Sequence, residues 1–336
     1  MLGPQDVGHR VVVRRIVGIS GDRTLYSDAL GELVDLTETY LTVATVKGPI
    51  RVPLSKVHRA KRVPPPPPRR VPLARRPPAA VVAALEVAAN EAWPAPVQER
   101  LGGWLLRAAD GWTGRGNSAL PVGAPGRPLA AAIDAVERWY ADRGQPPMIS
   151  VPLPMAGSVG RALDTRGWSA RPLVLVQTAP LAAVRDAAPR RADLPRVELA
   201  ATPSDDWLTI AAARKGDLPD VARHVLTAVE QIRFAHLHDA SAPGRLLGIA
   251  RGTVTGEGRW LGVTLLEVLP EARGRGFAPH LVRALVDWAA GLGATDVFLQ
   301  VEEANPAIAL YQRLGFTTHH TYRIRVAPEP EVGAGG

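Results

Sequence analysis

The sequence predicts an α/β protein: two copies of a mixed sheet with helices on both faces, preceded by a small all-β barrel. Three observations carry this expectation. Short β-rich runs separated by turn residues fill the first 62 positions. A strand, glycine turn, helix, strand unit spans residues 260–301. A weak internal repeat relates residues 139–144 to 288–293, a separation of 149, as tandem supersecondary units do.

Residues 1–62 hold β-rich runs at 10–17, 31–36, 40–46 and 49–53, with turn residues at 18–21 and 47–49. Regular short runs of this kind suggest an SH3-like barrel. Such a module docks, oligomerises, or binds peptides or nucleic acids, and fold alone does not choose among these. Residues 63–78 read as a linker. Pro64, Pro65, Pro66, Pro67 and Pro68 are consecutive and favour a polyproline II spacer of roughly 15 Å.

Charge is concentrated here. Of the 40 Lys and Arg, nine fall at 51–76 without one acid, so 31 face 32 acidic residues elsewhere. The body is therefore nearly neutral, and residues 1–78 are the part suited to a protein or nucleic-acid contact.

Residues 79–180 show helical spacing at 81–90 and 129–141, with strands expected at 103–107, 118–122, 148–151 and 173–177. Residues 181–195, rich in Ala, Pro and Arg, read as a second linker. The next segment, 196–327, opens with a strand at 196–199. A helix at 204–214 follows, with Ser204 as N-cap and Asp205 and Asp206 in its first turn, where anionic groups suit the helix dipole. A helix at 219–229 precedes strands at 232–238, 245–254 and 260–269, and the tail 328–336 has the composition of disorder.

The apolar run 261–269 reads as a strand buried on both faces. Leu281, Leu285, Trp288 and Leu292 recur at helical spacing, and 297–301 is the following strand. Such a crossover makes the two strands parallel. Between strand and helix stand Arg273, Gly274, Arg275, Gly276, Phe277 and Ala278. Two glycines let main-chain N–H groups approach a ligand, and a helix N-terminus favours a pyrophosphate. Asn305, Leu310, Tyr311, Leu314, Gly315 and Phe316 follow the second strand as a short helical segment.

These paired elements resemble the GNAT superfamily of acyl-CoA-dependent N-acetyltransferases. The resemblance implies that residues 273–278 hold the CoA pyrophosphate and that residues near Asn305 flank the pantetheine arm. It implies that two parallel strands splay, so that pantetheine bonds to Leu266 and Val268, with a main-chain N–H near Val268 stabilising the oxyanion. Tyr311 matches the family's general acid. The family's early-strand glutamate falls at Gly262, so Glu267 is the nearest candidate base, with pairing to a neighbouring arginine the alternative. His236 and His238 would share one face, lining the acceptor site or facing solvent.

With this resemblance the repeat implies tandem GNAT copies, the first degenerate. At an offset of 148, Leu163 stands where Tyr311 does, and residues 122–128 replace the glycine turn with two prolines. Proline lacks the N–H a pyrophosphate would need. Residues 79–180 are then a scaffold walling the acceptor cleft.

The chain has no cysteine, which excludes disulfides and thiolate chemistry, and its eight histidines lack zinc-type spacing. No metal site is expected. No run of about 18 apolar residues occurs, nor a signal-peptide core at the N-terminus, so no membrane contact and a cytoplasmic location are expected. The combined expectation is an acetyl-CoA-dependent transfer to a primary amine, with a small-molecule acceptor favoured. The competing reading is a CoA-binding regulatory module that contacts nucleic acid or protein.

Overall fold

The computed structural model describes residues 2–20, 23–45, 48–63, 77–216 and 218–329. The proline run at 64–68 and residues 330–336 of the tail lie outside the described residues. The chain divides into two compact units, Met1–Val71 and Pro72–Gly336.

The first unit is an antiparallel sheet of β1 (Arg10–Ser20), β2 (Arg23–Leu36), β3 (Tyr40–Thr45), β4 (Gly48–Pro53) and β5 (Val57–Arg62). The order is β4-β3-β2-β1-β5. Alternate side chains Val11, Val13, Leu33, Leu41, Val43 and Val52 make its core, as a strand period of two requires. β2 begins well before the apolar run at 31–36, because its polar first half is held across the sheet by β1. There the Arg14 guanidinium donates to Asp28 at 2.8 Å. β5 escaped the sequence reading because four of its six residues are His, Lys or Arg. It is an edge strand, where such residues discourage further pairing.

In the second unit the first copy comprises α1 (Ala79–Glu91), β6 (Val97–Leu101), β7 (Trp104–Ala108), β8 (Leu120–Pro121), α2 (Leu129–Ala141), β9 (Met148–Leu153), α3 (Gly157–Thr165), β10 (Ser169–Ala170) and β11 (Val174–Pro180). Next comes α4 (Leu181–Ala187). The second copy comprises β12 (Val197–Ala200), α5 (Asp205–Lys215), α6 (Asp220–Thr227), β13 (Ile232–Asp239), β14 (Ala242–Thr255), β15 (Trp260–Val268), α7 (Phe277–Gly291), β16 (Asp296–Glu302), α8 (Ile308–Arg313) and β17 (Thr317–Val326). β9 and β16 start 148 residues apart (296 − 148), and so do β10 and β17 (317 − 169). The repeat read from a few residues thus holds for whole elements.

The copies exchange strands. The main sheet runs β10-β17-β11-β16-β15-β14-β13-β12, with β9 also paired to β17. β11, from the first copy, lies between β16 and β17, with Val174 opposite both Glu302 and Tyr322. β17 pairs its first half with β11 and its second half with β9, Thr321 opposite Leu153 through Val326 opposite Met148. Neither sheet is complete without a strand of the other copy. The stretch 181–195, expected as a linker, contains α4, because Leu181, Val184 and Ala188 recur at helical spacing and bury into the core around α7.

α7 places its apolar stripe, Leu281, Val282, Leu285, Val286 and Ala289, on the sheet. Each large side chain so buried contributes about 1.5–3 kcal/mol. On the opposite face α1 packs Leu85, Ala88 and Ala89 against Trp260, Phe298 and Tyr322. It is tied down by Thr255 Oγ1 donating to the Ala88 carbonyl at 2.9 Å and Gly256 N donating to Glu91 at 2.8 Å.

Candidate active site

β15 and β16 are parallel neighbours, yet only three pairs register: Trp260 with Asp296, Leu261 with Val297, and Gly262 with Phe298. Beyond Gly262 the strands separate. The divergence coincides with a shift in the β14–β15 register between Arg251/Thr264 and Ile249/Glu267. Leu265 there takes φ 51°, a left-handed conformation a leucine rarely adopts. Strain of this kind collects at functional sites.

The gap is a cleft of about 450 Å³. Its sides include Val263, Thr264, Leu265 and Leu266 of β15 and Leu299, Gln300, Val301 and Glu302 of β16. The period of two sorts β16 between faces. Val297, Leu299 and Val301 meet the α7 core, whereas Phe298 packs with α1, and Gln300 and Glu302 share the parity of Phe298. The first copy closes this second face with Trp93, Thr113 and Arg115, and Arg171 stands on the lining as well.

Of the residues expected from sequence, Leu266, Asn305 and Tyr311 meet at this cleft. Tyr311 is 9% exposed, its ring edge-on to Phe316 at 5.9 Å. The Asn305 side-chain oxygen accepts from Ala307 N at 2.9 Å, bracing the turn into α8. Gly274 and Gly276 have φ 77° and 84°, and Gly276 caps α7 in the left-handed region. The first-turn N–H groups of α7 have no intrahelical acceptor and lie beside this glycine cap. Phe277 is buried, with the Arg275 guanidinium 4.7 Å above its ring.

Four expected residues behave otherwise. Val268 does not line the cleft, and its carbonyl accepts from Arg273 Nε at 3.0 Å. The other end of that guanidinium donates to Glu267 Oε1 at 3.0 Å. Glu267 is thus tied to the loop and absent from the cleft lining, the arginine pairing that sequence left open. His236 and His238 do share a face, with rings stacked at 6.2 Å, but neither reaches the cleft. His236 sits under the α5 N-cap, its ring nitrogen 3.4 Å from Ser204 N, and burial lowers its pKa.

Sequence reading missed Trp93, Arg115, Gln300, Glu302 and Tyr322. Gln300 and Glu302 had left a signal, two polar residues on one face of an apolar strand. Tyr322 donates to Gln300 Oε1 at 3.1 Å, and burial pushes its hydroxyl up to about 12. Arg251 is buried below Trp93, donating to the carbonyls of Leu226 and Ala92 at 2.8 and 2.9 Å. Desolvation, then the charge of Arg115, brings Arg251 down to about 9. In the first copy Leu163 is fully buried, and α2 starts after Pro128 rather than a left-handed glycine.

No cluster of three or more metal-ligating side chains occurs among the described residues, and none of their helices is long and apolar enough to cross a membrane.

A mixed sheet opened between two parallel strands, a glycine-capped helix beside the opening and a second copy of the same plan define a GNAT-type N-acetyltransferase. The chain belongs to the family described as "Probable histone acetyltransferase Rv0428c C-terminal", whose profile matches residues 79–325. It is 32% identical over 258 residues to "Probable histone acetyltransferase Rv0428c" of Mycobacterium tuberculosis, covering 75% of each chain. Among solved structures, a GCN5-related N-acetyltransferase from Kribbella flavida matches 75% of this chain and 97% of its own, with TM-score 0.58 and 15% identity. A tandem GNAT protein from the clavulanic acid biosynthesis pathway matches 79% and 91%, with TM-score 0.50 and 18% identity.

Proposed function

We propose that the protein transfers an acetyl group from acetyl-CoA directly to a primary amine of a small molecule, and that residues 196–327 carry the chemistry. The observation that supports this most is the strand pair that registers at three positions and then opens beside a left-handed glycine cap. In this reading the N–H groups of Gly274, Arg275, Gly276, Phe277 and Ala278 take the pyrophosphate. Leu266 and Asn305 flank the pantetheine arm, and Arg273 fixes the loop to β15 through the Val268 carbonyl.

The chemistry is demanding in one respect. An alkylammonium with pKa near ~10.4 leaves roughly one molecule in 2,500 as free amine at pH 7. A carboxylate facing the acceptor is therefore needed, and Glu302 on the cleft lining meets this requirement better than Glu267. Glu302 takes one proton from the ammonium to free the amine, which attacks the thioester carbonyl. As the C–S bond breaks, nitrogen releases its second proton to solvent and Tyr311 gives a proton to the departing sulfur. Without a cysteine in the chain, transfer runs in one ternary complex rather than through a thioester to the enzyme.

The relative's printed name raises a histone as acceptor. The walls supplied by Trp93, Thr113, Arg115 and Arg171 favour a small molecule instead. Residues 1–62, followed by the basic segment, are proposed as a docking module for a protein or nucleic acid. Salt-dependent DNA binding that disappears on deletion of residues 1–78 would support that role. The test of the enzymatic reading is CoA release across an amine panel. Release above background with at least one amine upholds it, and binding of acetyl-CoA without release contradicts it.

A further inference from the structure

We propose that the acceptor amine also carries an oxyanion, a carboxylate or a phosphate, and that Arg115 and the Gln300 amide receive it on the acceptor wall of the cleft. This inference rests on the acetyl-transfer reading above and names the substrate class of the same site.

Arg115 is held in place by its loop. Asn117, buried between β7 and β8, accepts from Ala109 N and Gly111 N at 2.8 and 3.0 Å and donates to the carbonyls of Trp112 and Thr113 at 2.9 and 2.8 Å. Thr113 Oγ1 accepts from Trp93 Nε1 at 3.2 Å, and the Arg115 guanidinium lies 4.8 Å over the Trp93 ring. A side chain so placed is preorganised.

Its donors are largely unspent. The Arg107 guanidinium nitrogens donate to Ser118 O, Ser118 Oγ and Asn90. Arg251 is satisfied by main-chain carbonyls and Thr264. Arg115 donates to Gln300 Oε1 and forms no salt bridge among the described residues. Arginine has five N–H donors and no acceptor. Part of its surface is open to the cleft, yet protein surrounds it closely enough that desolvation is the main influence on its charge. Glu86 acts on it only as a charge without a salt bridge, and a desolvated cation with no contacting counter-ion is costly and calls for one.

Gln300 adds to this. Because arginine can only donate, the amide oxygen must face Arg115, and Tyr322 donates to the same oxygen. Gln300 Nε2 is then left buried with no acceptor, an arrangement native proteins avoid unless something completes it. Arg115 and Gln300 Nε2 therefore offer donors where an acceptor is missing. An oxyanion satisfies both, and the fork of arginine matches carboxylate and phosphate alike. Arg171, exposed on the lining, adds a second positive charge, while Glu302 faces the same cleft. With ammonium toward Glu302 and oxyanion toward Arg115, the cleft suits a zwitterion. A lysine-rich peptide would bring further cations to the arginines.

The test compares matched acceptors with acetyl-CoA as donor: amino acids against their carboxamides, and O-phosphoethanolamine against ethanolamine. The wild-type enzyme is expected to favour the anionic member of one pair by about 10-fold or more in kcat/KM, and the pair identifies carboxylate or phosphate. Arg115→Gln should abolish that preference, lowering kcat/KM for the anionic member about 10-fold or more beyond any loss on the neutral one, and Arg115→Lys should restore part of it. Preference for neutral acceptors or a lysine-rich peptide overturns the proposal, as does an equal loss on both members. If no acceptor turns over, the transfer reading fails separately. Calorimetry of the same pairs on CoA-saturated protein then decides the subsite. Binding of the anionic member that Arg115→Gln removes upholds it, and absent or equal binding of the two members sinks it.

Discussion

Phe298 fills the space that a side chain on Gly262 would need. A Cβ built on Gly262 lies 2.8 Å from Phe298 Cζ and 3.0 Å from both its Cε1 and Thr253 Oγ1. The same ring meets Trp260 edge-on at 6.2 Å. Gly262 is where the superfamily resemblance would put a glutamate, so on this strand the carboxylate is replaced by an aromatic contact. In the proposed reading the acceptor-facing acid is left to β16, where Glu302 has the parity of Phe298.

Gly262→Ala should therefore destabilise the protein by about 1–3 kcal/mol through overpacking. Combined with Phe298→Leu, the loss should be smaller than the sum, since the two positions share one space. Thermal or urea unfolding of the two single variants and the double variant checks this. Strict additivity would show that the contact is not limiting.

Tyr311→Phe keeps the ring against Phe316 and removes the hydroxyl. Turnover should fall about 10²-fold with acetyl-CoA affinity unchanged. Steady-state kinetics alongside acetyl-CoA calorimetry makes the distinction, and unchanged turnover would remove the acid role.

Glu302→Gln should lower kcat/KM by about 10²-fold, a loss partly recovered at high pH, where free amine is abundant. Glu267→Gln should cost less than about threefold in turnover, because its carboxylate serves Arg273. The reverse order of the two effects would return the base to Glu267.

Gly276→Val puts a β-branched side chain at φ 84°, a cost of about 1–3 kcal/mol. Acetyl-CoA affinity should drop and Tm should fall by roughly 2–4 °C per kcal/mol. Differential scanning calorimetry with and without acetyl-CoA reads both, and undiminished ligand stabilisation would place the pyrophosphate elsewhere.

His319 is lowered to about 4 from 6.5, first by burial and then by His320 beside it, with the opposing pull of Glu86 and a smaller push from Arg259. The unfolded chain thus binds more protons than the folded one between these values, so stability rises with pH across that window. The contribution of neutral His319 is full above pH 6.5 and is lost as pH falls towards 4. His319→Gln should shrink the drop in Tm between pH 7 and pH 5. An unchanged drop would show that another group governs it.

Much of the fold was legible because periodicity is local. Leu281, Leu285 and Trp288 predicted α7, and Ser204 with its acidic first turn predicted α5, whose cap accepts as expected: Trp207 N donates to Ser204 Oγ at 3.2 Å. The strand exchange was not legible, since the alternation in β11 says which face is buried but not which copy's sheet receives it. The glycine loop and Tyr311 were visible as a motif. Arg115 was not, because a lone arginine in a Gly-rich loop gains its meaning only when Trp93 and Gln300 close around it. For Glu267 the sequence left base and arginine partner both open, because only the folded loop brings Arg273, six residues on, back to its carboxylate.

The central claim is that the opening between β15 and β16 is where acetyl-CoA lies. A crystal structure of the protein with CoA tests it most directly. The account predicts the diphosphate on the main-chain N–H groups of residues 274–278 and the sulfur beside the Tyr311 hydroxyl. A diphosphate bound anywhere else, the loop at 122–128 of the first copy included, would contradict it.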